Sequence, residues 1–200
     1  YRMGINFNGM KIVLVIEADE ALAQVSNGFV FPQGEGSNAL REQINSFLAE
    51  TKADGTIDRL IQKWQGPTEP TQVPDYASLT GENGTIQIAI SVDNKPMLYQ
   101  CAEGVTGFEM ELLTLFAQQA GYAFDIEIVP FESIIAGIAS GKYDMGASSL
   151  NITPEREESV DFSDPYAYFD VVLVTKKAAE QSTGKTLADF ENAKIDVIIK

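Results

Sequence analysis

The chain has 200 residues, enough for one medium domain or two small ones, and its hydrophobic fraction of 44% allows a packed core. Its 29 acids against 14 bases give a net charge of −15, which argues against nucleic acid or an anionic membrane surface as partners. With no histidine and one cysteine, Cys101, a zinc site, a Cys–His pair and a Ser–His–Asp triad are excluded, and no internal disulfide can form.

The front of the chain opens with "KIVLVIEA", a β-branched run that reads as a buried strand, and "NGFVF" follows as a second strand stopped by Pro32. "GEGSNA", Gly34 to Ala39, has the spacing of a dinucleotide fingerprint. The acid that should follow at a strand end falls at Asp54 in a helix terminus, so a flexible turn is the better reading. Ser37 or Asn38 is expected to cap a helix carrying Leu40, Ile44, Phe47 and Leu48 on one face. "ADGT" ends that helix at Gly55 and starts another at Thr56, with an apolar stripe of Ile57, Leu60, Ile61 and Trp64 stopped at Gly66-Pro67.

A linker rich in Pro, Thr and Gly spans residues 67–83. Beyond it, strand and helix alternate. "TIQIAIS" reads as a strand, "GFEMELLTLFAQQAG" as a helix with Phe108, Leu112, Leu115 and Phe116 in phase, and "AFDIEIV" as a strand. "FESIIAGIASG" is a helix, "YDMGASS" a strand and "AYFDVVLVTKK" a longer strand, after which "TLADFENAKIDVIIK" begins a further unit. This order implies an α/β fold with a parallel sheet covered by helices. The longest apolar runs are strand-length, so any export signal of the parent protein is expected to lie outside this chain.

"SSLNITPEREESVDFSDPY", Ser148 to Tyr166, contains a helix start with an unexpected charge. Thr153 is a good N-cap and Pro154 suits the first helical position, but Arg156 stands third, where an acid would close a capping box and suit the helix dipole. "ASS" just before it follows a strand whose carboxyl end is where α/β domains bind ligands. Serine hydroxyls and free backbone N–H groups there would cradle an anion, and the planar fork of Arg156 would take a carboxylate bidentately. The alternative is a surface ion pair of Arg156 with Glu157 or Asp161. Cys101 has no cationic neighbour in sequence to activate it and reads as inert.

Together, "TGFEMELLTLFAQQAGY", "FESIIAGIASGKYDMGASSLNITPEREESVDFSDPY" and "VVLVTKK" make residues 84–200 resemble the beginning of a family 3 extracellular solute-binding protein. That family comprises the amino-acid receptors of ABC importers. Residues 20–66, with "GFVFPQGEGSNALREQINSFLAETKADGTIDRLIQKW", resemble the end of the same family, so the order is inverted. The resemblance implies one parallel-sheet lobe of a type 2 periplasmic binding protein in permuted order, with most of the second lobe missing, as if cut from a tandem receptor. The domains expected are a C-terminal receptor segment over 1–66, the linker over 67–83, an N-terminal lobe over 84–176, and a hinge with a stub of the second lobe over 177–200.

By the same resemblance, Arg156 corresponds to the arginine that holds the ligand carboxylate, Ser148 and Ser149 to its neighbouring contacts, and Asn151 to a position often held by a small hydroxyl residue. Phe131 takes the place of an aromatic that packs on the ligand. The loop "SVDNKPMLYQ" departs from the family pattern, offering Ser91, Asp93 and Asn94, with Asn94 the candidate contact. The implied function is an extracytoplasmic amino-acid-binding domain working with ABC transporter membrane subunits, without catalysis, metal or cofactor. Alternatives are an enzyme like cyclohexadienyl dehydratase on the same fold, or the sensor domain of a membrane receptor.

The seventeen linker residues span at most roughly 55–60 Å when extended, more than a small lobe's radius. The front helices are therefore expected to bury their apolar stripes on the sheet of their own chain, or on a second chain in a strand- or helix-swapped dimer.

Overall fold

The computed structural model describes residues 23–66 and 73–171. The predicted strand "KIVLVIEA", the tail "TLADFENAKIDVIIK" and the start of the linker lie outside them. Residues Ser26–Tyr168 form one compact unit. Strands β1 (Ala23–Asn27) and β10 (Ala167–Val171) pair as a two-stranded sheet.

Three parallel strands carry the unit. The alternation of "TIQIAI" produces β3 (Thr85–Ile90), which pairs in parallel with β7 (Ala123–Ile128) on one side and β8 (Met145–Ala147) on the other. Ile86, Ile88 and Ile90 share one face of β3 and are buried. Ala89, on the opposite face, joins a core with Ile134 and Ile138 of α4 (Phe131–Ala139) and with Val30, Leu150, Val160 and Phe162. Gly146 permits this layer to close, since a Cβ there would lie 2.7 Å from Val30 and 2.8 Å from Ile134.

The sheet is not purely parallel, as expected from the alternation, but mixed. Its order is β7-β3-β8-β2-β9, where β2 (Val30–Phe31) and β9 (Asp161–Phe162) run antiparallel. The predicted strand "NGFVF" is thus split: Asn27 ends β1, while Val30 and Phe31 enter the sheet between β8 and β9. A segment from before the linker supplies an interior strand to a sheet built after it.

The front helices form close to prediction, as α1 (Glu35–Ala53) and α2 (Thr56–Trp64), separated at Gly55. Helix α1 starts earlier than Ser37 or Asn38, with Gly34 as its N-cap. Ser37 donates instead to the carbonyl of Pro32, tying the first turn back to the chain before it. Both helices bury their apolar stripes, Ile44, Phe47 and Leu48 of α1 and Ile57, Leu60 and Trp64 of α2. They pack with α3 (Phe108–Ala120): Phe47 meets Phe116 edge-on at 5.6 Å, and Trp64 donates to Glu111 at 2.6 Å beside its ion pair with Lys63. Arg41 pairs with Asp161 of β9 at 3.3 Å, which fastens α1 to the sheet edge.

Sequence periodicity gave no warning of the small antiparallel meander β4 (Asp93–Asn94), β5 (Leu98–Cys101) and β6 (Gly104–Thr106). It is too short for a pattern to be read. The meander leads into α3 through Gly107, whose φ of +121° and closeness to Met97 exclude a side chain: a Cβ would sit 2.5 Å from the Met97 carbonyl oxygen. That approach lets the Phe108 and Glu109 N–H groups donate to Pro96 and Met97 carbonyls at 3.1 and 2.9 Å. The first turn of α3 is thereby fixed, and with it the buried side chain of Glu109.

Candidate functional site

Parallel pairing places the carboxyl ends of β3, β7 and β8 along one edge, so the loops that follow them converge. After β3 comes Ser91, after β7 comes Phe131 at the start of α4, and after β8 come Ser148, Ser149, Asn151 and Arg156. Because β2 runs antiparallel to β8, the residues before β2 lie beside those after β8. Gly28 N–H donates to Leu150 O at 3.1 Å, Ile152 N–H donates to Ser26 O at 2.9 Å, and Asn27 and Asn151 form an antiparallel bridge. Front-segment backbone thus braces the loop that carries the predicted site.

Arg156 lies in α5 (Pro154–Glu157), where Thr153 accepts its backbone N–H at 3.3 Å, as the capping pattern predicts. The charge conflict read from the sequence is relieved by length: four helical residues build almost no macrodipole for the guanidinium to oppose. The guanidinium lies over the Phe131 ring, 5.7 Å from its centre, and Nη1 donates to Asn151 O at 2.9 Å. The surface ion-pair reading fails here. Asp161 is taken by Arg41, and among the described residues no carboxylate pairs with Arg156. Partial burial holds the guanidinium below its ordinary pKa, with Glu155 pulling the other way, and an arginine so placed stays protonated.

The two serines depart from the expected open cradle. Ser148 is 1% exposed, and its hydroxyl donates to Ser91 O at 2.9 Å, joining the β3 and β8 loops. Ser149 has a left-handed φ of +50°, its N–H donates to Glu109 Oε1 at 2.8 Å, and its buried hydroxyl has no partner. The Ser148 hydroxyl and the Ser149 N–H are therefore spent inside the lobe, where buried polar groups need partners. Asn94 is exposed on β4 and paired across to Leu98, beside Asp93, which accepts from the Ser91 hydroxyl. The structure brings Phe131, Asn151 and Arg156 together, sets Ser148 and Ser149 beneath them, and leaves Asn94 on the meander.

Sequence reading missed Glu109. It is fully buried in the first turn of α3, and its Oε1 accepts from both Ser149 N–H and the Tyr166 hydroxyl. Burial raises the Glu109 carboxyl to about 7, against the lowering effect of the Tyr166 and Ser149 bonds. Burial and the neighbouring Glu109 push the Tyr166 phenol well above its ordinary value. A signal was present: Glu109 falls at i, i+3, i+4, i+7 with Leu112, Leu113 and Phe116, on the apolar stripe of its helix.

This gives a pH prediction. The folded state holds the Glu109 proton more tightly than the unfolded chain, whose ordinary value is 4.5. Stability from the neutral carboxyl is fully present below about 4.5 and lost as pH rises through about 7, a loss of roughly 3 kcal/mol. Urea unfolding from pH 4.5 to 8 should show this fall in the wild type and a flatter profile in Glu109→Gln.

A groove of about 530 Å³ lies elsewhere, between α1 and α3, lined by Glu42, Glu50, Phe47 and Phe116. Its acids and lack of a lining cation suit a ligand carboxylate poorly. No helix among the described residues is long and apolar enough to cross a membrane.

Comparison with known proteins matches residues 86–200 to the model of bacterial extracellular solute-binding proteins, family 3. The arginine-binding extracellular protein ArtP of Bacillus subtilis is 37% identical over 87 residues, covering 44% of this chain and 34% of ArtP. The L-cystine-binding protein TcyJ of Escherichia coli is 28% identical over 117 residues, covering 58% of this chain and 44% of TcyJ. A solved ancestral arginine-binding protein bound to arginine is 32% identical with a TM-score of 0.40, covering 42% of this chain and 38% of that one. The chain thus spans less than half the length of each of these relatives. Since the family model covers more than half of the chain, the chain belongs to the bacterial extracellular solute-binding proteins of family 3.

Proposed function

We propose that this lobe is the carboxylate-recognising half of an amino-acid receptor serving an ABC importer, with Arg156 as the group that takes the ligand carboxylate. The observation that carries the reading is a half-buried guanidinium held over Phe131, at the meeting point of three strand-end loops, with no carboxylate partner among the described residues. Of its five N–H donors, one is spent on Asn151 O, which leaves a fork for bidentate binding. Phe131 would pack on the ligand, and Ser148 and Ser149 would shape the loop floor. In this reading the segment before the linker completes the lobe by bracing that loop. A second lobe would close over the ligand from outside the described residues.

Receptor is favoured over enzyme by the placement of the one carboxyl among the described residues that is pushed to about 7. Glu109 is sealed at 0% exposure, out of reach of a substrate proton. The relatives reported above are named for binding arginine and cystine.

The chain alone is expected to bind weakly. A small polar ligand left half in water keeps competing solvent around its charges, so each hydrogen bond gains little net free energy. Affinity should be no tighter than about 1 mM, near −4 kcal/mol. Titration with the twenty amino acids, followed by NMR, should move the signals of Phe131, Asn151 and the Arg156 guanidinium first. Shifts confined to the α1–α3 groove, or none even at about 100 mM ligand, would sink the reading.

A further inference from the structure

Four polar side chains meet in the interior beneath the Arg156 loop, each from a different element. Glu109 comes from α3, Ser149 from the loop after β8, Tyr166 from the segment after β9, and Asn27 from the end of β1. The Tyr166 hydroxyl donates to Glu109 Oε1, and the neighbouring Ser149 and Asn27 side chains partly offset the rise in its pKa. Three atoms here are buried without a partner: Glu109 Oε2, Asn27 Oδ1 and Ser149 Oγ. Two of them are acceptors when Glu109 is ionised, so the cluster is short of protons. A proton on Glu109 turns one surplus acceptor into a donor and relieves the shortage.

The same carboxyl holds the loop. Ser149 is the one non-glycine residue with positive φ among the described residues, a conformation a serine adopts only when its surroundings impose it. Its N–H bond to Glu109 is what the conformation gains, and this bond is stronger to a carboxylate than to a neutral carboxyl. Two residues further on, Asn151 O receives the Arg156 guanidinium.

We propose that Glu109 is a positioning residue for the Arg156 site: its buried carboxyl sets the Ser149 turn and changes its hold on that turn with protonation. Of the groups facing Glu109, Tyr166 is the titratable one; Ser149 and Asn27 are neutral. Charged groups on adjoining elements are engaged elsewhere, Glu111 with Lys63 and Arg156 with the Asn151 carbonyl. Burial without a cationic partner keeps the proton on Glu109 up to about pH 7, so the switch works near neutrality. The effect on ligand affinity rests on the receptor reading; the effect on the turn does not. A ligand carboxylate at Arg156 and an ionised Glu109 on α3 would be like charges near the same loop, so binding should favour the protonated form.

The test is NMR on the full chain, following the Ser149 and Asn151 amides from pH 5.5 to 8.5. Both should titrate together in the wild type with a midpoint near 7 and stay flat in Glu109→Gln, which keeps an acceptor for Ser149. Glu111→Gln, on the same helix, should leave the titration unchanged. A flat wild-type profile, or an unaltered titration in Glu109→Gln, overturns the proposal. With L-arginine as the probe, binding should be roughly three- to tenfold weaker at pH 8 than at pH 6 in the wild type and equal at both in Glu109→Gln. Absence of any arginine shift at either pH, even at about 100 mM L-arginine, would defeat the receptor reading and the affinity half, while the amide titration still decides the role of Glu109 in the turn.

Discussion

Phe29→Ala is expected to lower the unfolding free energy of the chain by about 3–5 kcal/mol, the range for a fully buried phenylalanine. Phe29 is 1% exposed, and its ring stacks at a tilt on Tyr166, with centroids 4.7 Å apart. Its backbone is fastened too: the N–H donates to Ser163 Oγ at 3.0 Å and the carbonyl accepts from Ser163 N–H at 2.8 Å. Truncation would leave a cavity beside Tyr166 and loosen the ring whose hydroxyl bonds Glu109. Phe108→Ala provides the standard, since the fully buried Phe108 ring also lies against Tyr166, with centroids 5.9 Å apart, and belongs to the later block. Comparable losses from the two would mean that the segment before the linker belongs to the same cooperative core. A loss below about 1 kcal/mol for Phe29→Ala would mean that it does not. Repeating the urea melts over a range of protein concentrations separates packing within one chain from exchange between two, because only an exchanged dimer has a concentration-dependent midpoint.

The sequence carried the βαβ skeleton because its signals are long and repeated. "TIQIAI" alternates, α3 ends at Gly121 and α4 just before Gly141, and the α1 and α2 stripes are continuous over several turns. The two-residue strands β2 and β9 have no periodicity to read, so the mixed character of the sheet was hidden. Their place is decided by partners more than a hundred residues away, as in the pairing of Val30 with Phe162. Arg156 became a candidate because it broke a local rule, and Phe131 because a family resemblance pointed to it. The orientation of Ser148 and Ser149 was not legible. Whether a serine hydroxyl points to solvent or inward depends on which buried atoms await it, as Ser91 O does for Ser148, and the left-handed turn at Ser149 comes with a backbone bond to Glu109. Glu109 was readable as an acid on an apolar stripe, yet its meaning came only with Tyr166 and Asn27, brought to it by the fold.

Arg156→Ala should cost about 2–5 kcal/mol of amino-acid binding in a protein that supplies both lobes, roughly 30- to 5,000-fold in Kd. With the ligand enclosed, its carboxylate would be left in a dry site without the cation that neutralises it, and water could not replace the fork. Arg156→Lys should recover only part of the loss, because an ammonium cannot bond two carboxylate oxygens in one plane or stack flat on Phe131. Phe131→Leu should cost less, about 0.5–2 kcal/mol, since it removes the ring face beneath the cation but leaves the charge. The fold itself should barely notice Arg156→Ala, with a stability change within about 1 kcal/mol. The substitution breaks no ion pair among the described residues and removes one side-chain hydrogen bond, to Asn151 O. That contrast between large loss of binding and small loss of stability distinguishes a ligand contact from a structural arginine. Calorimetry with L-arginine, read beside urea melts of the same variants, would decide it: unchanged affinity in Arg156→Ala removes Arg156 from the site, whereas a stability loss matching the binding loss assigns it to the architecture of the loop.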